Sequence, residues 1–141
     1  MNKGTYVFSQ IMGLVSHRKF QTIVNQHLGD CKVRDFTCWK QYLCMAFGQL
    51  THRESLSDTM LCLKANAGKL HHRGIGNPVA VSTISRANET RPYKIFETLA
   101  GQLIHEAKKL YVEHKDNEIW SKGNVFAIDA TTNDLSLSVF W

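Results

Sequence analysis

Two groups of residues in this 141-residue chain have the types and spacing to do chemistry. The first is a single carboxylate. Val125, Phe126, Ala127 and Ile128 form an apolar, β-favouring run that reads as a buried strand, and Asp129 follows it directly. A carboxylate there is costly to bury unless it is paired, hydrogen-bonded or bound to a metal ion. Thr131, Thr132 and Asn133 come next, then the alternating segment Leu135 to Val139. The second group is Ser82, Thr83, Ser85, Arg86 and Asn88, all within one helical stretch. Hydroxyl, guanidinium and amide side chains projecting from a short helix suit the reading of base edges in a major groove: Arg pairs with guanine and Asn with adenine. Other chemistries find little support. His71, His72, His105 and His114 have no regular ligand spacing, Cys31, Cys38, Cys44 and Cys62 do not form paired CxxC motifs, and no base is set beside a nucleophile.

Charge points the same way as the second group. Seventeen Lys and Arg stand against twelve Asp and Glu, and all seventeen precede Val125, together with ten of the acids, so the front of the chain carries +7. That excess favours a polyanionic partner. The window from Lys69 to Lys94 is the most basic one with a helix start in it. It holds Lys69, Arg73, Arg86, Arg91 and Lys94 with His71 and His72, against Glu89 alone. A hydrophobic share of 43% excludes global disorder. No stretch approaches the ~18 apolar residues of a membrane span, and the N-terminus lacks the apolar centre of a signal peptide. Cys44 and Cys62 lie in apolar helical patterns and read as small buried thiols, not a disulfide framework. The expectation is a soluble, cytoplasmic protein.

The elements that would position these residues are mostly helices. Phe8, Ile11, Met12 and Val15 give one stripe, in a helix over 6–15. Ser16 caps a second, with Phe20, Ile23, Val24 and Leu28 inward and Gly29 supplying the positive φ past its end. Thr37 or Asp35 caps a third, facing inward with Trp39, Leu43, Phe47 and Leu50. Thr51-His52-Arg53-Glu54 reads as a capping box opening a fourth, which buries Leu56, Met60 and Leu63. A short helix over 66–72 stops at Gly74. Ser82 is the expected N-cap of the next helix, in which Ile84 and Ala87 pack. Pro92 opens a last helix bearing Phe96, Leu99, Leu103, Ala107 and Leu110. The span from Gly74 to Val81 exceeds the 3–4-residue turn of a compact helix-turn-helix, so the arrangement would be an expanded one.

Two segments carry a family resemblance. Leu61-Cys62-Leu63-Lys64-Ala65-Asn66-Ala67-Gly68-Lys69-Leu70, and Ser82-Thr83-Ile84-Ser85-Arg86-Ala87-Asn88-Glu89-Thr90-Arg91 with Tyr93 to Glu97, closely resemble the front domain of bacterial insertion-sequence transposases of the large cut-and-paste DDE group. Ile128-Asp129-Ala130-Thr131-Thr132 resembles that family's first catalytic strand, with Ala130 where serine is frequent. The resemblance implies a mainly α fold: an expanded helix-turn-helix-like DNA-binding domain over 1–118, then over 119–141 the first one or two strands of a truncated ribonuclease-H-like domain. It implies that Asp129 is the first of three acidic ligands for two Mg²⁺ ions, which activate the nucleophile and stabilise the leaving oxygen in an in-line displacement at phosphorus.

The chain ends before the second Asp and the Glu of that pattern, and one carboxylate does not build a two-metal site. The expectation is therefore a truncated transposase whose front domain binds the terminal inverted repeats, with no strand cleavage by this chain alone and no Mg²⁺ held by it. The DNA-contacting residues expected are Lys69, Arg73, Ser82, Thr83, Ser85, Arg86, Asn88, Arg91 and Lys94. Implied partners are double-stranded transposon-end DNA and a full-length transposase or a second copy of the chain. The alternatives are a DNA-binding regulator of transposition and a small helical interaction protein that binds no nucleic acid.

Overall fold

The computed structural model describes residues 7–70, 75–76 and 79–113. Seven α-helices run through them: α1 Val7–Met12, α2 His17–Gln26, α3 Cys38–Leu50, α4 Leu56–Ala65, α5 Ala67–Leu70, α6 Val81–Thr90 and α7 Lys94–Glu113. The mainly helical class expected from periodicity is what the described residues form. The strands expected over 125–141 lie outside them.

The chain divides into two compact units, Met1–Leu103 and Ile104–Trp141. Of the second unit the structure describes only the run of α7 to Glu113. In the first unit α3 is the central helix, packing on α1, α2 and α4, while α4 packs on α5 and α6. Two apolar clusters result. Leu43, Cys44, Phe47, Met60, Leu63, Ile75 and Ile84 form one, with Phe8 and Met12 of α1 packed against it. Phe20, Ile23, Val24, Cys38, Ile95 and Leu99 form the other. Trp39 and Tyr42 pack against both, which couples the halves of the core. Each large apolar side chain fully removed from water stabilises the fold by roughly 1.5–3 kcal/mol.

Two of the expected caps are made. The Ser16 hydroxyl accepts from the Lys19 amide at 3.5 Å, and Thr37 accepts from Lys40 at 3.3 Å. The helix expected over 6–15 is shorter, ending at Met12. The other boundaries depart from expectation for physical reasons. Past α2, Leu28, not Gly29, takes the positive φ of 53°. Its amide bonds Asn25 O at 3.2 Å and the Gly29 amide bonds Val24 O at 2.9 Å, the two bonds of a Schellman motif. Gly29 is needed for space: a Cβ there would stand 2.4 Å from Ile95 Cδ1 and 2.9 Å from Cys38 Sγ. Leu28 itself is 74% exposed, so the expected inward stripe of α2 stops at Val24.

The capping box at Thr51 is not formed. α3 continues to Leu50, and the Thr51 hydroxyl donates back to Phe47 O at 2.7 Å. His52, at φ 53°, and Arg53 then close a second Schellman turn, with the Arg53 amide on Gly48 O at 2.9 Å. The N-cap of α4 is Ser55, whose hydroxyl accepts from the Asp58 amide at 3.1 Å. Asp58 sits in the first turn, where the helix dipole favours an acid, and pairs with Arg53 at 3.5 Å. Helices α3 and α4 approach closely at Gly48, where a Cβ would lie 2.8 Å from Thr59 Oγ1. Ser82 is likewise not a cap: α6 begins at Val81, two residues before the expected start, with Ala80 at the N-cap and no side chain bonding there.

Candidate nucleic-acid interface

Helix α6 has two working faces. Ile84 and Ala87 are buried against the first cluster, as their spacing predicts. Ser82, Thr83, Ser85 and Arg86 are exposed. Ser82, Thr83, Arg86 and Thr90 recur at helical spacing along one outward face and line a groove of about 1090 Å³. The opposite wall is the loop that follows α2, with Lys32 and Arg34 among its lining residues. Four cationic side chains line the groove, Lys32, Arg34, Arg86 and Arg91, against the single carboxylate of Asp35. Among the described residues no ion pair holds Lys32, Arg34 or Arg86.

Asn88 and Arg91 have different surroundings. The Arg91 side chain is only 8% exposed. Its Nη1 donates to Gln41 Oε1 at 2.7 Å, its Nη2 donates to the Phe36 carbonyl, and its guanidinium lies 5.4 Å from the centre of the Phe36 ring. Asp30 stands 4.0 Å away and also accepts from the Cys38 amide at 2.7 Å. Gln41 is 2% exposed and completes the network by donating Nε2 to Asn88 Oδ1 at 2.6 Å. A buried amide needs partners at both ends, and Arg91 and Asn88 supply them. These two residues of the Ser82–Arg91 string thus tie α6 to α3 and to the loop after α2.

The remaining expected site residues scatter. Ser85 is exposed but does not line the groove. Lys94 is exposed at the start of α7, also outside the groove lining. Lys69 belongs to α5, and Arg73 and Asp129 lie outside the described residues. The geometry therefore assembles Ser82, Thr83, Arg86 and Arg91, and adds Lys32, Arg34 and Thr90, which sequence reasoning passed over. Lys32 and Arg34 sit in a loop between Asp30 and Asp35 with no periodic signal, so only their charge marked them.

The four cysteines are free. Burial pushes the Cys38 thiol up to about 12, with the Asp30 side chain adding to the rise, and pushes Cys44 up to about 11. Cys31 is exposed on the groove. A second, smaller cavity of about 590 Å³ lies between α4 and the start of α6, lined mainly by apolar residues such as Met60, Leu61 and Val81. Among the described residues no group of three His, Cys, Asp or Glu is placed to hold a metal ion, and no helix is long and apolar enough to cross a membrane.

A family model described as a domain of unknown function (DUF4372) matches residues 3–76, just over half of the chain. The match covers α1 to α5 and the loop after α2, and ends before α6. Comparison with curated proteins and with solved structures finds no match.

Proposed function

The chain belongs to the DUF4372 family, a domain commonly found in transposase-like proteins, and from that premise we propose that it binds double-stranded DNA in transposition, at the inverted repeats of an insertion sequence. The observation that carries the reading is the groove: an exposed hydroxyl-and-guanidinium face on α6 opposite a loop bearing two further cations. In this reading Arg86 reaches a base edge, where a bidentate Arg–guanine pair is available, and Ser82 and Thr83 contact phosphates or bases. Asn88 and Arg91 act indirectly, by holding α6 in place through Gln41. The basic excess of the front of the chain supplies sequence-independent attraction to phosphate. No catalytic step is assigned: Asp129, the carboxylate that resembles a Mg²⁺ ligand, lies outside the described residues.

The test is a salt titration of binding to duplexes carrying candidate inverted repeats, alongside unrelated duplexes. Log affinity should fall linearly with log salt. Arg86→Ala should cost roughly 1–3 kcal/mol of discrimination between the preferred and the unrelated sequence. Absence of binding at the lowest salt would sink the proposal, and an Arg86→Ala effect equal on both sequences would move that side chain from base to backbone.

A further inference from the structure

The loop after α2 is built as a fixed ledge. Two of its non-glycine residues, Leu28 at φ 53° and Lys32 at φ 61°, hold left-handed conformations that favour glycine. Residues kept in such regions persist where their surroundings over-determine them. Three hydrogen bonds anchor the loop: the Gly29 amide on Val24 O, the Cys38 amide on Asp30, and Arg91 on the Phe36 carbonyl. Between Asp30 and Phe36 the chain carries Lys32 and Arg34, both exposed, both lining the groove and neither ion-paired among the described residues. Leaving two cations unpaired on a rigid ledge, facing a helix that carries a third, suits a ligand with regularly spaced negative charge.

We propose that Lys32 and Arg34 contact the phosphates of one sugar–phosphate strand lying along the groove, while α6 faces the bases of the same duplex. The inference rests on the DNA-binding reading and adds to it a backbone-contacting wall. Because the loop is already anchored, ordering it adds little to the cost of binding, and the ledge sets the distance between the strand and α6. Phosphate contacts position a protein on a duplex without reading sequence, so the ledge contributes affinity and register, not selectivity.

The experiment uses the full chain and a fluorescently labelled mixed-sequence duplex, with anisotropy followed across a salt series. Lys32→Gln and Arg34→Gln should each reduce the slope of log affinity against log salt by about 0.9, close to tenfold weaker binding at ~0.1 M salt, equally for every duplex sequence. Lys32→Arg should restore the slope, and the urea unfolding midpoint of all three variants should match that of the unaltered chain, since both side chains are exposed. An unchanged slope in a variant carrying both Lys32→Gln and Arg34→Gln, with Arg86→Ala still weakening the complex, overturns the ledge and leaves the DNA reading standing. Failure of the unaltered chain to bind at the lowest salt overturns both.

Discussion

Arg91 offers a direct measure of how the fold holds α6. Replacing it with Met keeps much of the side-chain volume and removes the guanidinium. Gln41 Oε1 then loses its donor in a site where the residue is 2% exposed, and the carbonyl of buried Phe36 loses another. An acceptor orphaned in this way costs roughly 1–3 kcal/mol. The contact with the Phe36 ring contributes a further ~0.5–1 kcal/mol. Asp30 matters less, because it stands 4.0 Å from the guanidinium and keeps its bond to the Cys38 amide. The expected loss is about 3 kcal/mol, or a fall of about 12 °C or more in Tm for a unit of this size. Urea unfolding followed by far-UV circular dichroism measures it as a lower midpoint at constant slope. Arg91→Lys should recover only part of the loss, since one ammonium does not reproduce the fork. Adding Gln41→Met to Arg91→Met should cost less than the two single changes together, because the orphaned amide is removed with its partner. A loss below ~1 kcal/mol for Arg91→Met, with DNA affinity sharply reduced, would refute the network and return Arg91 to the interface.

Gly29→Ala should destabilise by roughly 1–3 kcal/mol, because its Cβ meets Ile95 and Cys38, whereas Leu28→Gly should be neutral or stabilising by up to ~1 kcal/mol; thermal unfolding of the two variants decides between space and φ. Native alkylation at pH 8 should modify exposed Cys31 rapidly and leave Cys38 and Cys44 untouched until the chain is unfolded, as mass spectrometry of the labelled peptides would show. The same raised thiols imply a loss of stability in alkali. The unfolded chain releases these protons from about pH 9 while the folded chain holds them to about 11 and 12, so stability should fall as pH rises through that window, and replacing both thiols with Ala should flatten the fall.

The sequence by itself determined which segments are helical and most of the residues that turn inward. Phe20, Ile23 and Val24, Leu43 and Phe47, and Ile84 and Ala87 are buried where a 3.6-residue period places them, because a helix buries one face whatever it packs against. It also marked Ser16 as a cap, and Thr37 as one of two candidates with Asp35, because such bonds span three residues. Only the tertiary structure decided the rest. Thr51 read locally as a cap, but α3 runs on to Leu50 and Ser55 caps α4 instead. Gly29 read as a conformational need, and distant Ile95 made it a spatial one. Asn88 read as a base reader and Arg91 as a DNA contact, and only the fold shows Gln41, Phe36 and Asp30 beside them. The groove itself, joining a loop of mixed charge to a helix fifty residues away, exists only once the core has closed. Polar partners far apart in the chain leave no periodic trace, because their pairing depends on how the buried faces dock and not on the local winding of the backbone.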